Sequence, residues 1–217
     1  MENEKNTLPT KSFTWIEYLQ SQKFRIKIHY LIYLAVPLAL LLLMASLPNY
    51  RFFGQIGKWA WDILILVLFI KPVIKILGVK ELMWLLSYRR EMGILCAILA
   101  IAHSLANIFL FKLYSPLNYL PLNNYLFSGL IAYIILIILF LTSNNASMRY
   151  LKKNWKRLQS LSYLVLPLVT VHQILLKPES DDLLNLIFIN VIFLALKILE
   201  YNNFKISSLF SQSENKY

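Results

Sequence analysis

A single cysteine, Cys96, is the only thiol in the chain, which excludes an intrachain disulfide and any cysteine-rich zinc or iron–sulfur site. Set inside an apolar run, Cys96 reads as a small packing residue. Glycine is also scarce, with five in 217 residues. No G-x-G-x-x-G or phosphate-binding loop occurs, so no nicotinamide or flavin domain is expected on this chain. Neither a Ser-His-Asp arrangement, an internal repeat nor a low-complexity tract is visible. Charge is the third shortage: Asp, Glu, Lys and Arg make up 15% of the residues, with 11 acidic against 22 basic.

What is abundant is apolar. Hydrophobic residues are 58% of the chain and the mean hydropathy is +0.56. A water-soluble domain of this size cannot hide that much apolar surface, so the class is an all-α integral membrane protein. A net charge of +11 would suggest nucleic acid if the basic residues formed one face. They punctuate apolar runs instead, so no nucleic-acid partner is expected and the surrounding partner is membrane lipid. The polar start MENEKNTLPTKSF is followed by no small-residue cleavage pattern, and no removable signal peptide is expected.

A bilayer asks for about 20 mostly apolar residues per helix. Six segments qualify, at 28–48, 58–78, 92–113, 126–143, 158–177 and 183–201. They predict a six-helix polytopic bundle over residues 28–201, between an amino-terminal segment 1–27 and a tail 202–217. Lys5, Lys11, Lys23, Arg25 and Lys27 precede the first span. Lys80, Arg89 and Arg90 follow the second, Arg149, Lys152, Lys153, Lys156 and Arg157 the fourth, and Lys205 and Lys216 the sixth. These 15 lie on one side, against Arg51, Lys58, Lys112 and Lys177 on the other. The positive-inside rule then puts both termini in the cytoplasm of a multi-pass inner-membrane protein. Lys71, Lys75 and Lys197 fall within helices, in the halves nearer the basic side.

Ionisable groups inside a membrane are functional candidates because burying them is costly. His29 opens the first span at headgroup level. His103 and His172 lie deeper: His103 is 13 residues past Arg90 and His172 is 15 past Arg157, on two helices that both run outward. At 1.5 Å per residue they sit about 20 and about 22 Å above the inner basic rings. Two imidazoles at one depth suit bis-histidine ligation of a haem between helices. The alternative is two unrelated histidines hydrogen-bonded to carbonyls of neighbouring helices. Zinc fits less well, because no third ligand lies at that level.

The ordered set Thr142-Ser143, Arg149, Trp155, Leu158, Tyr163 and His172 follows a second set, Arg89-Arg90, Gly93 and His103, with Pro72 earlier still. In this the chain resembles the ferric reductase-like transmembrane domain family, and within it the haem-binding membrane subunits of bacterial periplasmic methionine sulfoxide reductase systems. The resemblance covers residues 57–177. It implies haem b with His103 and His172 as axial ligands to the iron, and an electron path across the bilayer. A cytoplasmic flavin, flavoprotein or membrane quinol would be donor, and an outward redox partner protein or a metal ion acceptor. FMN or a quinone would be a further cofactor. Arg89 lies 14 residues before His103, close to four helical turns, and so projects from nearly the same face, where it would either meet a haem propionate or a flavin phosphate or stand in solvent as a topology-setting arginine.

The chain departs from the family at three positions. Thirteen residues before His172, where relatives carry another histidine, stands Gln159. An amide is a poor ligand for haem iron, so one haem per chain is expected rather than two. Lys152 stands for a usual glycine and Lys71 for a usual threonine. Pro167 should kink the helix carrying His172. The rival reading is a non-redox membrane scaffold that kept the fold; a transporter would call for a polar pathway or paired broken helices, and neither is visible.

Overall fold

The computed structural model describes residues 18, 21–46, 50–78, 80–109, 125–177 and 182–204. The remainder of the segment 1–27, the third connection, Glu179 and Asp181 in the fifth, and the tail beyond residue 204 lie outside the described residues. Every described element is helical: α1 (Gln22–Ser46), α2 (Tyr50–Leu77), α3 (Arg89–Phe109), α4 (Tyr125–Leu141), α5 (Asn145–Leu151), α6 (Lys153–Leu176) and α7 (Leu183–Tyr201), with a tight 3-10 helix Lys80–Tyr88 leading into α3. Long apolar runs leave the backbone no choice, since in lipid each N–H and C=O must be satisfied within its own segment. The described residues of each of the six apolar segments fall almost wholly on one of these helices.

Four stretches are long and apolar enough to cross a membrane: Gln22–Ser46, Leu82–Ile108, Lys153–Leu176 and Leu183–Tyr201. A fifth is the pair α4 and α5, bent by 94° at the break between them. The longest helix, α2, is not among them; it carries Arg51, Lys58, Asp62, Lys71 and Lys75. The architecture is therefore an all-helical bundle with four to five candidate membrane spans.

α3 packs most extensively on α2 and α6 on α4, while α7 lies against α2 and α6. Two apolar clusters result. Phe53, Ile56 and Ala60 of α2 pack with Ile94, Ile98, Ala102 and Ala106 of α3 under α1. Trp61, Leu64 and Leu68 pack with Ala132 and Leu136 of α4, Val165 and Leu166 of α6, and Phe193 of α7. Alanines along α3 let the helix backbones approach closely, which dispersion rewards when lipid offers no hydrophobic drive. Cys96 is buried as a packing residue, its Sγ donating to the Ala60 carbonyl at 3.2 Å. The outward faces carry Leu34, Leu41, Leu184 and Leu194, all exposed, as a lipid-facing helix requires.

Prolines mark the irregularities. Pro37 has no N–H and clashes with the carbonyl four residues back, and the helix widens to a π turn at Leu31–Ala35 immediately before it. Pro167 sits inside a continuous helix from Ser162 to Leu176. The distortion expected of it lies a turn and more earlier, where Leu161, Tyr163 and Leu164 each donate three residues back, to Leu158, Ser160 and Leu161. Gln159 and His172 thus stand on opposite sides of a tightened turn.

Candidate functional site

His103 projects from α3 toward α2, and its Nδ1 lies 2.7 Å from the carbonyl oxygen of Phe53. His172 projects from α6 toward α4, and its Nδ1 lies 2.8 Å from the carbonyl oxygen of Tyr125. A carbonyl can only accept, so Nδ1 carries the proton in both rings and Nε2 carries the lone pair. The second nitrogen of His103 has one long neighbour, Asn107 Nδ2 at 3.4 Å, an amide whose main bond is to the His103 carbonyl at 2.7 Å. Each histidine is thus tied through Nδ1 to a carbonyl of a neighbouring helix, as one of the two alternatives left by the sequence expected.

The same device builds both halves. One helical turn after Phe53 comes Gly57, where an added Cβ would stand 2.8 Å from His103 Nδ1. One turn after Tyr125 comes Gly129, where it would stand 2.7 Å from His172 Nδ1. Each imidazole is laid onto bare backbone that no other residue type supplies. The Tyr125 ring lies 5.7 Å from that of His172. Sequence reasoning missed these four supports. Their only trace is an aromatic residue four before a glycine at the start of two helices, FGQIG at 53–57 and YLFSG at 125–129.

His29 is elsewhere, exposed on α1 with its ring 5.0 Å from that of Tyr33. Among the described residues no group of three or more His, Cys, Asp and Glu could hold a metal ion. Two neutral nitrogen donors with fixed tautomers suit a metal that brings its own equatorial ligands, as haem iron does, and leave bare zinc short of ligands.

The remaining motif residues gather at the other end of the bundle. Arg89 is half-buried between helices, and its Nε donates to the Val67 carbonyl at 3.0 Å. Arg90 Nε donates to the Ser143 carbonyl at 2.9 Å and Nη1 to Asn145 Oδ1 at 2.8 Å. Trp155 Nε1 donates to the Thr142 carbonyl at 2.9 Å, and Gln159 Nε2 to Thr142 Oγ1 at 3.3 Å. Thr142-Ser143, Arg90, Trp155 and Gln159 thus form one lock that turns the chain from α4 into α5. Arg149 is exposed, and a Cβ on Gly93 would meet nothing within 4 Å.

Residues 56–170 match the family described as ferric reductase like transmembrane component. The magnetosome protein MamZ of Paramagnetospirillum magneticum is 34% identical over 124 residues, 55% of this chain and 19% of that protein. The protein-methionine-sulfoxide reductase heme-binding subunit MsrQ of Brucella ovis is 31% identical over 128 residues, 58% of this chain and 56% of that protein. The chain thus spans about a fifth of the first relative's length and just over half of the second's. No solved structure matches.

Proposed function

The chain belongs to the ferric reductase-like transmembrane component family, and from that premise we propose that it binds haem b and carries electrons across a membrane. The observation that carries this reading is that both histidines donate Nδ1–H to carbonyls, so that the Nε2 lone pair of each would be available to hold haem iron. Haem held there supplies a one-electron couple in a medium that offers free protons and electrons no other path. The residues of the chain do the rest. The Phe53 and Tyr125 carbonyls raise the basicity of the imidazoles and fix their planes, and Gly57 and Gly129 let the rings seat. The apolar walls exclude water.

In this reading all six apolar helices span, α2 included, and both termini are cytoplasmic. The 15-to-4 distribution of basic residues supports that orientation. The donor is a cytoplasmic flavin, flavoprotein or membrane quinol, and the acceptor faces outward, as a partner reductase or a metal ion. That one relative is named as the heme-binding subunit of a methionine-sulfoxide reductase supports a partner protein on the outer side. Arg89 is held by the Val67 carbonyl and serves the inner end of the path as a fixed cation.

The deciding measurement is an absorption spectrum of detergent-purified protein made with ample haem supply. Red protein whose Soret band shifts on dithionite reduction is the expected result. A colourless, correctly inserted protein would overturn the redox reading in favour of a scaffold.

A further inference from the structure

Outside the histidine site, the membrane-embedded charges converge on one carboxylate. Glu200 near the end of α7 is buried, with only 6% of its side chain exposed. Its Oε1 lies 3.1 Å from both Lys71 Nζ and Lys75 Nζ of α2, and its Oε2 lies 2.7 Å from Lys197 Nζ. Lys197 also donates to the Tyr163 hydroxyl at 3.4 Å and stands 4.7 Å above that ring. Three ammonium groups thus share one carboxylate. The carboxyl ends of α2 and α7 flank them and contribute at most about half a negative charge each. Roughly one positive charge remains uncompensated. Beside it a cavity of about 370 Å³ opens, lined by Lys75, Lys197, Glu200, Tyr201 and Asn203. Lys75 is turned to the outside, its side chain 53% exposed.

We propose that this cleft between the carboxyl ends of α2 and α7 is a phosphate-binding site, filled by the phosphodiester of an anionic phospholipid. A monoanion matches the residual charge. The site stands at the end of two apolar helices, where a lipid headgroup lies, and basic pockets between helices on the cytoplasmic side hold such headgroups. Lys75 and Lys197 contact the phosphate, while Glu200 holds the lysines together and caps their charge. The proposal rests on the topology given above and is independent of haem.

The test is native mass spectrometry of the full chain released from nanodiscs of equal phosphatidylglycerol and phosphatidylcholine. A phosphatidylglycerol adduct retained by the wild type should fall roughly twenty-five-fold in Lys75→Gln/Lys197→Gln, at about fivefold for each lysine. Glu200→Gln should strengthen retention, and Lys58→Gln at the far end of α2 should leave it unchanged. Loss of the adduct in millimolar inorganic phosphate would keep the phosphate site and remove lipid as its source. Equal retention of the two lipids, or undiminished retention in the double variant, would overturn the proposal. The readout is lipid mass, so it separates cleanly from a failure of haem loading.

Discussion

Gly129 and His172 are so close that a methyl group on the glycine would stand 2.7 Å from the imidazole Nδ1. Gly57 and His103 repeat the relationship at 2.8 Å. Real Cβ contacts do not reach such distances, so an alanine at either position must push the ring off its carbonyl. Gly129→Ala and Gly57→Ala should therefore each lower the haem-to-protein ratio several-fold, while helix content is kept or raised because alanine is the better helix former. Gly54→Ala and Gly93→Ala, where an added methyl meets nothing within 4 Å, are the matched controls. Equal haem content in all four variants would mean that the rings need no such seating.

The ligands themselves should behave as a unit. His103→Ala and His172→Ala should each remove most low-spin haem absorbance, and the double variant should lose little more, because losses at a shared centre are not additive. Exposed His29, whose ring lies against that of Tyr33, provides the neutral control. Insertion should survive in all three, since orientation rests on the basic loops. A normal low-spin spectrum in both single variants would remove the bis-histidine site.

How much of this was legible beforehand follows from the kind of signal each feature leaves. Lipid-length apolar runs advertise themselves, so the described part of every segment from 28–48 to 183–201 is found on a helix. His103 and His172 stood out because an imidazole is conspicuous among leucines. Their supports did not, because the Phe53 and Tyr125 acceptors are backbone atoms and carry no residue signature. The Glu200 cluster was hidden for another reason: it joins α2 to α7 across 129 positions, from Lys71 to Glu200, and no local pattern spans that. The bend between α4 and α5 was equally silent, since it depends on Arg90 reaching Ser143 and Asn145 from α3.

Haem stoichiometry should be nearer one than two per chain. Gln159 stands where a second histidine would, and its Nε2 is spent on Thr142 Oγ1 at 3.3 Å. Pyridine haemochrome absorbance against protein mass checks this, and a clean value of two would require a ligand not yet identified. Gln159→His should leave the outer site intact, because the tightened turn at Ser160–Leu161 separates the two positions.

The final prediction concerns Lys152, where the family resemblance implies a glycine. Its backbone has φ 48° and ψ −120°, in the half of conformational space that side chains with a Cβ avoid. The residue closes α5, through its N–H to the Met148 carbonyl, and opens α6. Neither helix can extend into it without undoing the turn that seats Trp155 against the Thr142 carbonyl. The strain is therefore imposed by its surroundings and costs on the order of 1–3 kcal/mol. Glycine removes that cost but gains freedom in the unfolded chain, worth roughly 0.5–1 kcal/mol. Lys152→Gly should thus stabilise the protein by about 1 kcal/mol in a reversible denaturation assay in detergent. Lys156→Gly, inside the regular helix four residues on, should destabilise it by about the same amount. The opposite signs are the test: two losses of equal size would mean that the lysine side chain, rather than the backbone of the turn, is what this position requires.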